Sequence, residues 1–403
     1  MTTLPQPLII QKYGGSSLAD TARITLVASR IAEKVRTGTH VICVVSAMGK
    51  TTDHLLSLSR EIHDQASKRE LDMLLTTGEQ VSASLLSMAL QKEKISSKSL
   101  NAFQAGIITT EDFSNARITK MESDRLQHWA DEYEVIVITG FQGITEDGDL
   151  TTLGRGGSDT SAVALAAALQ VPCEIYSDVD GIYTIDPRLY PGARKLDFIS
   201  YDEILELTSH GAKVLSSRSV EIAKKYGVRI YCGSTFSDKK GSYVVPEEEI
   251  MEQPVVTGLT VLHNQSQVII THLPNEEMVI SRLFARIAEE KINIDMISLI
   301  PEKDSISLSF TFPSEVLEQV SVVANHWLDQ YLGSSLEVSS GFDKLSVVGI
   351  GMQFQSGVAA RFFTALQGIP VKLVTTSEIK ISILIRPEYT AKVIEALAGE
   401  FHL

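Results

Sequence analysis

Two short stretches of this chain place charged and hydroxyl side chains on glycine turns, where they can hold anions. "QKYGGSSLAD" (11–20) sets Lys12 beside the pair Gly14 and Gly15, between a strand pattern and a helix start. Glycines let backbone approach a ligand closely, and helix-start N–H groups favour negative charge, so this reads as a phosphate cradle. The plainer reading is a structural turn with a surface lysine. "TLGRGGSDTSAVALAAAL" (152–169) sets Arg155, Ser158 and Asp159 around three glycines, just ahead of an Ala-rich apolar run. A guanidinium there matches the planar fork of a carboxylate or phosphate.

Other motifs carry weaker signals. "SAMGKTTD" (46–53) follows a buried-strand pattern, and Thr52 and Asp53 read as ordinary helix caps. "TTGEQVSASLL" (76–86) places Glu79 at a helix start, where the dipole favours a carboxylate in any case. "SDVDGIYTIDPR" (177–188) offers Asp178 and Asp180 near a metal-bound phosphate, or simply a turn at Asp180–Gly181. Arg188 and Lys213 are cations in Gly/Pro-rich surroundings. Each follows a strand pattern, at the end where open α/β sheets bind ligands. Together they make two anion sites. One suits a polyphosphate (Lys12, Gly14, Gly15, Arg188, Lys213). The other has mixed charge (Arg155, Glu79) and suits a zwitterion such as an amino acid.

Several classes are set aside. The only Gly–Lys–Thr has Val44 where a P-loop needs its first glycine, and "GIGMQF" (349–354) ends on Phe354, so neither nucleotide fingerprint is met. The net charge of −14 argues against a nucleic-acid partner. No histidine pair has zinc-ligand spacing. Cys43, Cys173 and Cys232 are far apart in apolar runs and read as reduced, buried thiols, so no protein metal site is expected. "MTTLPQPLII" has no signal-peptide pattern and no apolar run reaches membrane-span length, so a cytoplasmic setting without a membrane partner is expected.

The elements that must position these residues follow from periodicity. The 403 residues are too many for one typical core. Strand patterns at 8–14, 40–47, 134–141, 173–179 and 228–233 alternate with helical patterns at 52–65, 78–92, 201–210 and 214–226. Asp20 caps a helix carrying Ile24, Val27, Ile31 and Val35, ended by Gly38. A strand near 102–109, a helix near 115–131 and a hairpin at 146–149 complete the region. This predicts an α/β layered domain with a mainly parallel sheet over 1–250, with 245–254 as linker. Beyond 255 the pattern repeats: 284–298 is echoed by 363–376, each with strands before and after. That predicts two α+β units of the split βαβ type, 264–338 and 339–403, with 255–263 able to add a strand to the second.

In this order and spacing, "KYGGSS", "VVSAMGKTTD", "TLGRGGSDTSA", "SDVDGIYTIDPR" and "GAKVL" resemble the aspartate kinases of the amino-acid-kinase superfamily, and the tail is similar to their paired ferredoxin-like ACT domains. The resemblance implies phosphorylation of the β-carboxylate of L-aspartate by ATP with Mg²⁺, the first step toward lysine, diaminopimelate, threonine and methionine. It implies catalytic roles for Lys12 on the transferring phosphoryl group and for Asp159, which would orient Lys12. Gly14, Gly15, Ser46, Ser177, Asp178, Tyr183, Arg188 and Lys213 would bind the nucleotide. Thr52, Glu79 (on the amino group), Phe141, Arg155 (on the α-carboxylate), Gly156 and Ser158 would bind aspartate. It further implies a homodimer or homotetramer and an inhibitory amino acid, lysine or threonine, at the ACT units. Met278 stands where a glycine commonly opens the effector turn of the first unit, whereas the second keeps Gly357; Ser216 replaces a common histidine. The alternatives are a glutamate or acetylglutamate kinase and a catalytically inactive amino-acid sensor.

Overall fold

A computed structural model describes residues 7–212, 214–251, 254–276 and 278–403. Lys213 therefore lies outside the described residues. The chain divides into two compact units: one comprises 1–182, 195–208 and 213–251, the other 183–194, 209–212 and 252–403. Two excursions of the N-terminal region, Tyr183–Arg194 and Ser209–Ala212, are thus grouped with the C-terminal unit.

In the first unit an eight-stranded sheet runs in the spatial order Phe198–Ser200, Ser242–Val245, Ile230–Ser234, Cys173–Ser177, Leu8–Tyr13, His40–Val45, Val135–Thr139, Ser97–Leu100. Its pairings are parallel except that between Ile230–Ser234 and Ser242–Val245. The inner strands "HVICVV" and "VIVIT" are apolar and buried almost throughout, as a sheet covered on both faces requires. Helix Thr21–Arg36 covers one face through Ile24, Val27, Ile31 and Val35, with Asp20 accepting from the Arg23 N–H. Helix Gly157–Leu169 is buried on nearly every side from Gly157 to Ala166. Small alanines allow such close packing. The three cysteines are buried and free, and burial pushes their thiols up.

Two local expectations fail. The run near 102–109 is a helical turn, Ala102–Ala105, with a capping box at Asn101 and Gln104, and only Ile107–Thr109 is strand. Capping chemistry overrides the apolar strand pattern there. The region 115–131 holds a strand, Ile118–Met121, and the helix starts only at Ser123. The strand belongs to a second sheet ordered Ile118–Met121, Ile107–Thr109, Gln142–Ile144, Leu150–Thr152. The linker expected over 245–254 takes in the last residue of strand Ser242–Val245, a 3₁₀ turn, Glu247–Glu249, and the end of the first unit at Met251.

The second unit is one six-stranded antiparallel sheet, ordered Asp295–Pro301, Ser305–Pro313, Gly258–Pro274, Ser335–Val348, Lys380–Ile385, Val371–Thr376. Two long strands are shared between two cores. Leu259 and Val261 pack with Leu345, Val347, Phe362 and Leu397, while Val268, Ile270 and Leu273 pack with Leu283, Phe310 and Trp327. Gly258–Leu262 thus lies in the core of the later half, ahead of the repeat to which its own strand continues. No described helix is long and apolar enough to cross a membrane.

Candidate active site

Lys12 sits on the central strand, flanked in parallel register by His40–Val45 and Cys173–Ser177. Gly14 follows, with its N–H donating to the Tyr176 carbonyl at 3.3 Å. A Cβ on Gly14 would lie 3.5 Å from the Lys12 ammonium, an ordinary contact, so Gly14 places its backbone beside that charge. A Cβ on Gly15 would lie 2.9 Å from the Ala47 carbonyl, which fixes this position as glycine. The Gly49 N–H donates to the Gly15 carbonyl and the Ser46 N–H to Tyr13, both at 3.1 Å, so the "KYGGSS" and "SAMGK" turns are tied together. The sequence placed the helix start after the hydroxyl pair, with Asp20 as its cap, and Asp20 does cap the helix, accepting from the Arg23 N–H. Between the glycines and that cap the chain makes a 3₁₀ turn, Gly15–Leu18, and the α-helix begins at Thr21. Lys12 and the N–H groups of the Gly14–Leu18 turn thus lie ahead of the helix rather than at its first turn.

The second glycine turn brings its carboxylate to Lys12. Asp159, in the first turn of helix Gly157–Leu169, pairs with the Lys12 ammonium at 2.6 Å, with both side chains about seven-eighths buried. Such a pair keeps the ammonium charged and aimed. Gly154 and Gly156 have positive φ, 78° and 74°, which sharpen the turn around Arg155. Arg155 is exposed at its tip. Ser158 is buried and packs at Gly140, where a Cβ would come within 3.0 Å of its Oγ. Phe141 also has a positive φ, 69°, rare for an aromatic residue. It is held there by the Ser161 hydroxyl on its N–H and by the Leu153 N–H on its carbonyl.

Glu79 lies 2% exposed in the first turn of helix Thr77–Lys92. Its Oε1 accepts the Ala47 N–H at 3.0 Å, while Oε2 is buried with no partner. Burial pushes its carboxyl up to about 7, against the lowering effect of the Ala47 N–H. A buried carboxylate oxygen without a donor is costly, and a ligand ammonium would satisfy it. Thr52 is not the helix cap expected from sequence. The helix Thr51–Ile62 has Lys50 at its N-cap, and Thr52 and Asp53 fall inside the first turn. Its hydroxyl is therefore not spent on capping.

The remaining candidates are more dispersed. Ser177 ends its strand, its Oγ accepting the Val179 N–H, and Asp178 is exposed beside it. Tyr183 and Arg188 lie in the excursion grouped with the second unit, and the Arg188 guanidinium pairs with Asp186 at 2.6 Å. Among the described residues no three His, Cys, Asp or Glu side chains gather as a metal-binding group.

Sequence reasoning missed the groups that hold the Arg155 turn. Asp72 is fully buried and accepts four hydrogen bonds, from the N–H and hydroxyl of both Ser114 and Thr152. Ser216 packs under Gly156, where a Cβ would lie 2.5 Å from its own Cβ. Arg218 donates to the Leu153 and Ala116 carbonyls. Asp72 is an acid in a helical pattern with no local partner, so no sequence signal pointed to it.

The model of the amino acid kinase family matches residues 7–234, and that of an ACT domain matches 345–401. An aspartokinase of Bacillus sp. strain MGA3 is 45% identical over 401 residues, spanning 98% of this chain and 97% of that protein. The solved aspartate kinase of Synechocystis is 40% identical, covering 98% of this chain and 70% of that one, with a TM-score of 0.55. The E. coli aspartokinase III structure in complex with aspartate and ADP has a TM-score of 0.81 at 21% identity, covering 98% and 100%, and so supports the fold.

Proposed function

The chain belongs to the amino acid kinase family and, within it, to the aspartokinases, and we propose that it transfers the γ-phosphoryl group of ATP to the β-carboxylate of L-aspartate. The observation that carries the substrate is Glu79: a buried carboxylate with one unpartnered oxygen is a receptor for an ammonium group. Arg155, exposed on its glycine turn, supplies the matching fork for the α-carboxylate. A zwitterion held at both ends presents its side-chain carboxylate as the nucleophile.

That nucleophile is ionised at neutral pH and needs no general base. The obstacle is bringing two anions together. Lys12, aimed by Asp159, neutralises charge on the transferring group, and N–H groups of the Gly14–Gly15 turn bind phosphate oxygens. Ser46 sits in the turn tied to that cradle, and Ser177, Asp178, Tyr183, Arg188 and Lys213 are proposed nucleotide contacts. Thr52, Phe141, Gly156 and Ser158 shape the aspartate pocket. Mg²⁺ would enter on the nucleotide, bound mostly by phosphate oxygens with at most a carboxylate such as Asp178, and would supply further charge neutralisation.

The ACT region supports feedback control by an end-product amino acid, lysine first and threonine second, in a homodimer or homotetramer. The product would feed lysine, diaminopimelate, threonine and methionine synthesis in the cytoplasm. The boundaries 1–250, 264–338 and 339–403 are proposed as functional domains. A coupled assay of ADP release across aspartate, glutamate and acetylglutamate, with lysine and threonine added in turn, tests the reading. Turnover with glutamate but none with aspartate would overturn it.

A further inference from the structure

The Gly157 N–H closes the Arg155 turn on the Gly154 carbonyl at 3.0 Å, but the Arg155 side chain has no hydrogen-bonded partner among the described residues, so its aim depends on what packs around glycines that are otherwise flexible. The N-terminal turn of helix Ser217–Tyr226 touches it at both ends. On the far side, Ser216 packs against Gly156 so closely that a Cβ there would clash at 2.5 Å, and its Oγ lies 3.4 Å from the Thr160 hydroxyl. On the near side, the Arg218 Nη1 donates to the Leu153 carbonyl at 3.0 Å, directly before Gly154. Its Nη2 donates to the Ala116 carbonyl at 2.8 Å, and the Ala116 N–H in turn donates to Thr152.

Arg218 occupies this place against its electrostatic preference. It stands in the first turn of a helix, where the dipole disfavours a cation. Burial and the like charge of Arg117 both disfavour its charged form, with Glu221 opposing them. Both hydrogen-bond acceptors on its guanidinium are neutral carbonyls. A side chain kept where it is electrostatically disfavoured, and bridging two backbone carbonyls, acts through geometry.

We propose that Arg218 is a positioning residue for the proposed reaction: its fork, with Ser216 under Gly156, braces the Gly154–Gly157 turn so that Arg155 is preorganised for the substrate carboxylate. This rests on the aspartokinase reading for the substrate, but the brace itself does not. A guanidinium joins two carbonyls in a fixed plane, and an ammonium cannot span both in that geometry. Preorganisation of a binding fork acts on substrate affinity ahead of the chemical step.

The test compares wild type, Arg218→Lys and Arg218→Met. The aspartate KM is expected to rise at least tenfold in the Met variant and by a smaller factor in the Lys variant, with ATP KM within twofold of wild type in both. Equal rises in both KM values, or a fall confined to kcat, would overturn the proposal in favour of general structural damage. Should the Met variant not fold, the Lys variant alone decides by the same split. Hydrogen exchange without substrate tests the brace separately. Amides of 153–160 are expected to exchange faster in the Lys variant while the central sheet is unchanged. Unchanged protection there would overturn the brace even if the aspartokinase reading stands. Faster exchange in a protein that does not phosphorylate aspartate would support the brace and refute only the substrate.

Discussion

If Glu79 receives the substrate ammonium as proposed, aspartate binding depends on pH. Its carboxyl is pushed from an ordinary 4.5 up to about 7 by burial. Between those values the unfolded chain ionises this side chain while the folded one keeps the proton. Stability therefore falls as pH rises through that window, by about 3 kcal/mol in all, at about 1.4 kcal/mol per pKa unit. A substrate ammonium needs the ionised form. Below pH 7 that form becomes a minority, so aspartate affinity should fall about tenfold per pH unit and level off above pH 7. We expect roughly tenfold weaker binding at pH 6 than at pH 8. Calorimetry without nucleotide is the assay, because phosphate itself titrates near pH 6. Glu79→Gln keeps an oxygen for the Ala47 N–H but carries no charge. It should raise Tm by several degrees at pH 8, at about 2–4 °C per kcal/mol for a domain of this size. It should also weaken aspartate by about 100-fold, the loss of one buried charged hydrogen bond, and abolish the pH dependence. Flat affinity from pH 6 to 8 in wild type, or a Gln variant that binds aspartate normally, would refute the reasoning.

Lys12→Ala should abolish aspartate-dependent ADP release while circular dichroism stays native; residual turnover near wild type would remove Lys12 from the mechanism. Arg155→Ala should raise the aspartate KM by about 100-fold, the size of a charge-assisted pair, and leave the ATP KM within about twofold; an effect seen only in ATP titration would contradict its assignment. Asp72→Ala leaves four donors without their acceptor, so denaturant unfolding should show a loss of about 3 kcal/mol or more. The three buried thiols should resist a thiol reagent in the native protein and react together once it is unfolded; fast labelling of any one at neutral pH would contradict its burial.

Much of the local structure around the candidate site was legible because its signals are local. A glycine pair after a strand, a guanidinium between glycines and an acid at a helix start can each be read from a few consecutive residues. The same holds for strand and helix patterns such as "HVICVV" or the Ile24–Val35 stripe. Errors came where local signals competed. The capping box at Asn101 turned an apolar run into a helix, and Thr52 was taken for a cap although Lys50 holds that position, without a side-chain cap. The Lys12–Asp159 pair was implied only by resemblance, since the residues are 147 apart in sequence and no spacing rule joins them.

The sequence by itself determined the residue types, the glycine turns and the order of strands and helices, because steric freedom and hydrophobic periodicity act over a few residues. Only the tertiary structure decided what those residues face. It left Glu79 Oε2 without a donor, set Asp72 under Thr152 across 80 residues, and laid Arg218 on the Leu153 carbonyl across 65. It also grouped Tyr183–Arg194 with the second unit, although in sequence the segment lies within the first. Burial and hydrogen-bond satisfaction are properties of packed neighbours, and those neighbours are chosen by the whole chain.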